Sequence, residues 1–163
     1  VICRPAVIFG HKEGGNFVRM AKLLRNGFFV YPGRKDTIKA YEPEAKLDIL
    51  YNMGETDLTT LFDPSFLEKE DKYSYFTGGN QAIIQISGGE KNGKTLLVIK
   101  DSFANCMIPF LAEDYENLIV VDLRQLNIGC RALIDSFAPT DVLILYNTAQ
   151  FAQDREFSLK CKY

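Results

Sequence analysis

From Lys94 onward, short apolar runs and helical spacing alternate along the chain. Residues 95–99, 118–123 and 142–146 are runs dominated by aliphatic and β-branched side chains, with Asp122 and Tyr146 as the exceptions, too short for buried helices and typical of strands covered on both faces. Between them, 104–112 and 129–137 carry apolar positions at helical intervals. The order is β-α-β-α-β, which predicts an α/β domain with a parallel sheet, helices on both faces and right-handed crossovers. In such sheets ligands lie beyond the C-terminal ends of the strands. Asp101-Ser102, Asp122 to Arg124 and Asn147-Thr148 occupy those ends.

The first half is less regular. Residues 6–10 form an apolar run closed by Gly10, Gly14-Gly15-Asn16 reads as a loop, and 17–25 as a helix stopped at Asn26-Gly27. Strand composition returns at 28–31, 37–41 and 47–51. Residues 57–61 and 63–67 suggest a short helical passage, with Pro64 suited to a first turn behind an Asp63 cap. Tyr73, Tyr75 and Phe76 precede Gly78-Gly79-Asn80, a loop leading into a strand at 82–86. Residues 87–94, with Gly88-Gly89 and Asn92-Gly93, read as a hairpin-type connection to the next strand.

The 163 residues fit one domain, and 47% hydrophobic content is enough to bury a core. A net charge of −2, with no long basic run, supplies no field for a phosphate backbone, so nucleic acid is not an expected partner. No apolar run approaches the roughly 20 residues of a membrane span. Val1 to Pro5 contain neither an initiating Met nor a basic leader with an apolar run, so no signal peptide is visible and a chain incomplete at its N-terminus is expected. Four scattered cysteines and one histidine do not form a zinc-ligand pattern. Most of the cysteines read as small apolar residues, and if two disulfides form, three pairings are open. No metal or cofactor is expected.

Ser102 is the candidate nucleophile. A serine just after a buried strand and just before a helix sits on a sharp turn with helix N–H groups nearby, a geometry suited to acyl transfer. The competing use of Asp101 or Ser102 is a helix N-cap. A serine nucleophile needs a base, and the only histidine, His11, reads as a loop residue. Asn147, Asn80 and Gly79 are the oxyanion candidates. Asp122 and Arg124, two apart at a strand end, project to one side and read first as a local ion pair.

Several of these stretches together resemble one family: Lys72-Tyr73-Ser74-Tyr75-Phe76-Thr77-Gly78-Gly79-Asn80, then Leu96-Leu97-Val98-Ile99-Lys100-Asp101-Ser102-Phe103-Ala104-Asn105, then Pro109-Phe110-Leu111 and Val121-Asp122-Leu123-Arg124. They resemble the DHHW protein family, with the likeness running from about Asp36 to about Asn147. The resemblance implies a three-layer flavodoxin-like, SGNH hydrolase-like sheet: 1–35 poorly matched, 36–94 a β-rich excursion, 95–163 the core, all one domain. It implies Ser102 as nucleophile with Asp101 beside it, in an exported bacterial protein acting on acylated cell-surface carbohydrate; Arg124 and Tyr75 are the candidate binding residues. The Asp-His-His-Trp motif that names the family and would supply acid and base is absent, and the chain contains no Trp. An extracytoplasmic location also makes a disulfide involving Cys3 or Cys161 an expectation. The alternative is a non-catalytic module holding glycan against Tyr73, Tyr75 and Phe76.

Overall fold

A computed structural model describes residues 43–54 and 58–162, all within a unit spanning Tyr41–Tyr163. The readings at 6–10, 17–25, 28–31 and 37–41, with His11 and Cys3, lie outside the described residues.

Five strands form one sheet: β1 Asp48–Tyr51, β2 Ile83–Ser87, β3 Thr95–Lys100, β4 Asn117–Val121 and β5 Asp141–Leu145, in the order β1-β2-β4-β3-β5. β3 pairs in parallel with both β4 and β5, as the β-α-β-α-β pattern predicts. β2 pairs antiparallel with β4, and β1 antiparallel with β2, so the sheet is mixed rather than all parallel. The β-rich first half therefore extends the same sheet.

That pairing corrects the hairpin reading of residues 87–94. β2 and β3 flank β4 and do not pair, so the connection crosses the start of β4. It fits there because Gly89 has no side chain. A Cβ at that position would lie 2.3 Å from the carbonyl oxygens of Ala112 and Tyr115, where Glu90 N–H also donates to Glu113 O.

Four helices follow or separate the parallel strands: α1 Ile108–Asp114, α2 Cys130–Phe137, α3 Thr148–Gln153 and α4 Arg155–Lys160. Alternation along the strands divides the core in two. Ile84, Leu96, Val98, Leu118 and Val120 pack with Ile108 and Ala112 of α1. Ile83, Leu97, Ile99, Ile119 and Val121 pack with Cys130 and Leu133 of α2, and Phe157 of α4 joins them. The chain steps from β3 to β4 in one direction and back past β3 to β5 in the other. Crossovers of one hand then put α1 and α2 on opposite faces.

The expected helix at 104–112 is split. Ser102–Met107 is a 3-10 helix and the α-helix begins at Ile108. Pro109 is the reason: it has no N–H to give the Asn105 carbonyl, and its ring suits only a first turn. Ile108 N–H bonds to Asn105 O instead. Asp63 does cap a helix, the 3-10 turn Pro64–Glu68, by accepting from Ser65 N–H. Residues 58–61 are not helical.

Cys130 and Cys161 form a disulfide, so Cys161 pairs as the family resemblance suggested, while Cys106 is free and buried. The bridge ties the start of α2 to the end of α4 across 31 residues of sequence. Closing a loop of that size restricts the unfolded chain by about 3–4 kcal/mol. Reduction, or a paired Cys130→Ala and Cys161→Ala substitution, should lower the unfolding free energy by that order in urea titration. An unchanged midpoint would show that the bridge does not form.

Candidate active site

The C-terminal ends of β3 and β5 meet at one carboxylate. Asp101, fully buried and in extended conformation (φ −100°, ψ −177°), follows β3 directly. Its Oδ1 accepts from Phe103 N–H at 3.0 Å, capping the 3-10 helix. Its Oδ2 accepts from Asn147 N–H at 2.8 Å, in the loop after β5. Asp101 N–H returns a bond to Leu145 O. β3 and β5 are the neighbours between which the chain's direction of travel reverses, the position where open α/β sheets form their ligand crevice.

Of the two capping options, Asp101 takes the task alone. Ser102 is half-buried and its hydroxyl makes no hydrogen bond to any described residue. The serine therefore stands at the C-terminal end of β3 without a capping role.

A second strand of the site comes from the loop before β2. Thr77, Gly78 and Gly79 all have positive φ (59°, 60° and 90°), a run that two glycines make accessible. The buried Thr77 hydroxyl bridges Phe76 O and Gly79 O at 2.7 and 2.8 Å. Asn105, which the sequence reading missed, fastens this loop to the Ser102 turn. Its Nδ2 donates to Gly79 O and to Asn80 Oδ1, both at 3.3 Å, while its buried Oδ1 has no partner. Tyr73 makes a parallel link: its hydroxyl donates to Phe103 O at 2.8 Å and accepts from Cys106 N–H at 3.4 Å.

The other named residues fall around this turn in different states. Asn147 caps α3, its Oδ1 accepting from Ala149 and Gln150 N–H, and is exposed. Asn80 is exposed beside Asn105, whereas the Gly79 N–H donates to Phe76 O. Arg124 grips Asp122 through both fork positions, Nε to Oδ1 at 2.8 Å and Nη2 to Oδ2 at 2.5 Å, as the two-residue spacing suggested. Tyr75 stacks on Phe62 at 5.1 Å and meets Phe76 edge-on, which places it in an aromatic cluster.

Lys100 was unremarked in the sequence beyond its place in the motif, because a lysine at a strand end ordinarily reaches solvent. Here it is fully buried and its Nζ has no hydrogen-bond partner. Burial pulls the ammonium down to about 8, opposed by the carboxylates of Asp122 and Asp101 and reinforced by Arg124. Among the described residues no group of His, Cys, Asp and Glu is arranged to hold a metal ion, and no helix is long and apolar enough to cross a membrane.

Taken together, these features define a mixed α/β domain that presents a serine on a carboxylate-braced turn at the C-terminal end of β3. The chain matches the DHHW protein family over residues 13–121, well over half its length, and belongs to that family. The matched region starts before Asp36 and ends before Asn147, earlier at both ends than the sequence motifs suggested. A solved DHHW family protein from Eubacterium siraeum DSM 15702 is 27% identical with a TM-score of 0.64, covering 74% of this chain and 42% of that one. Two structures of Bacillus cereus PatB1, one with a sulfonyl adduct, are 29% and 28% identical. Their TM-scores are 0.48, over 53% and 52% of this chain and 29% and 28% of theirs. The chain thus spans less than half of each of these proteins. No curated protein matches.

Two outcomes follow from the geometry. Asp101→Ala leaves two N–H groups without acceptors and should cost roughly 2–4 kcal/mol in chemical denaturation, whereas Ser102→Ala should change stability by less than about 0.5 kcal/mol. Lys100 holds its proton to about pH 8 when folded and to 10.5 when unfolded, so the unfolded chain binds more protons in between. The unfolding free energy should therefore rise by about 2 kcal/mol between pH 8 and 10 relative to Lys100→Met. Equal slopes for the two proteins would show that Lys100 is not buried as an ammonium.

Proposed function

We propose that this chain is the nucleophile-bearing part of an SGNH-like serine esterase or acyltransferase of an exported bacterial protein, acting on acylated cell-surface carbohydrate. The single observation that carries this reading is the division of labour at the turn: Asp101 caps the helix and braces the loop after β5, and the half-buried Ser102 hydroxyl is left unbonded. Helices on both faces of a sheet whose β4-β3-β5 portion is parallel are consistent with a flavodoxin-like three-layer arrangement. The Cys130–Cys161 bridge suits an oxidising compartment outside the cytoplasm.

In this reading Ser102 Oγ attacks the acyl carbonyl carbon and the acyl group passes first to serine, then to water or an acceptor hydroxyl. In the same reading the Ser102 N–H and the Asn147 and Asn80 side-chain amides are the candidate donors to the developing oxyanion. Gly79 contributes through its backbone shape, its N–H being engaged by Phe76 O. Arg124, at the end of β4, has its charge balanced by Asp122. The competing glycan-binding reading relies on aromatic faces, and Tyr75 and Phe76 spend theirs on Phe62 and on each other.

Incubation with a fluorophosphonate serine probe should attach one label, located at Ser102 by peptide mass spectrometry, and Ser102→Ala should abolish it while remaining folded. A folded protein that takes no label across pH 6 to 10 would favour the binding module.

A further inference from the structure

Asn105 joins the serine turn to the loop before β2, and the two ends of its amide are treated unequally. The residue is 1% exposed. Its Nδ2 donates to Gly79 O and to Asn80 Oδ1, while its Oδ1 has no partner. Buried acceptors are normally bonded, so something else enforces this arrangement. The enforcing atom is Gly79 O. A backbone carbonyl can only accept, so the end of Asn105 that faces it has to be the NH2. Turning the amide over would set oxygen against oxygen at Gly79. The same logic passes to the next residue. Asn105 Nδ2 carries a second proton, and only the Oδ1 end of Asn80 can receive it. The Asn80 NH2 is thereby turned away from Asn105, and it donates to no described residue although Asn80 is exposed.

Ser102 shares a face with this arrangement. Ser102–Met107 is a 3-10 helix, in which side chains three apart eclipse, so Ser102 and Asn105 project from one face a single turn, about 6 Å, apart. Resting on the reading of Ser102 as nucleophile, we propose that Asn105 is a positioning residue for its reaction: it sets the Asn80 amide with oxygen toward the serine helix and NH2 free for the oxyanion. An unrestrained asparagine presents either end of its amide, and oxygen turned toward a developing negative charge would oppose the reaction. Fixing the choice before substrate arrives is preorganisation, which removes a reorganisation cost from the step. The shape of the loop has separate support. Thr77 Oγ1 also donates to Gly79 O, at 2.8 Å, and the positive φ angles run from Thr77 to Gly79. Losing Asn105 therefore removes the orientation of Asn80 before it removes the loop.

The test follows fluorophosphonate labelling of the full chain at neutral pH over a range of probe concentrations, so that probe binding (KI) and phosphonylation (kinact) are read separately. In that reaction Ser102 Oγ bonds to phosphorus, fluoride departs, the hydroxyl proton passes to solvent, and the phosphoryl oxygen stands where the oxyanion would. Asn80→Ala and Asn105→Leu, checked for folding by circular dichroism, should each lower kinact by about 100-fold while KI changes by less than about 2-fold. The double variant should lose no more than either single one, because Asn105 acts through Asn80. Losses that multiply, or a folded single variant that keeps the wild-type kinact, overturn the positioning role and leave Ser102 as nucleophile. Absence of label on the wild-type protein overturns both. Should Asn105→Leu fail to fold, NMR of the side-chain amides in the wild-type protein decides. Contacts from the Asn105 amide protons to the Asn80 side chain support the fixed amide, and an Asn80 amide averaged as in a free peptide overturns it.

Discussion

The Asp101 carboxylate is the constraint on which the rest of the site depends. One side chain satisfies the Phe103 N–H in the helix after β3 and the Asn147 N–H in the loop after β5, so the C-terminal ends of the two strands are joined by a single residue. Both bonds are charge-assisted, and the carboxylate that accepts them is buried, which strengthens them. A capping role for the neighbouring serine is thereby made unnecessary.

Electrostatics concentrate at the same place. Lys100, Asp101 and Asp122 are fully buried and Arg124 partly so, giving two acids and two bases at the ends of β3 and β4. The acids are bonded and the lysine is not. A cluster balanced in charge but unbalanced in hydrogen bonds keeps its one unbonded member responsive to pH.

The glycine loop before β2 supplies the opposite wall. Its left-handed run at Thr77 to Gly79 is stitched by Thr77 and held to the serine turn by Asn105, while Tyr73 covers the Phe103 carbonyl. These contacts tie Lys72 to Asn80 and Leu96 to Asn105, remote in sequence, into one unit: each holds the other in shape.

By itself the sequence determined the strands at β3, β4 and β5, the helix α2 and the serine turn, because continuous apolar runs and helical spacing are local signals that the core enforces. The bounds fell within a residue or two. Pro109 carried the split of the helix it interrupts, although the periodicity alone ran through it. Only the tertiary structure decided that β2 lies antiparallel beside β4, that residues 88–94 cross instead of turning back, and that Cys130 pairs with Cys161. It alone buried Lys100 and enlisted Asn105. Those outcomes depend on which distant segments come together, and a strand's neighbours, a cysteine's partner and a lysine's loss of water leave no trace in the spacing of nearby residues.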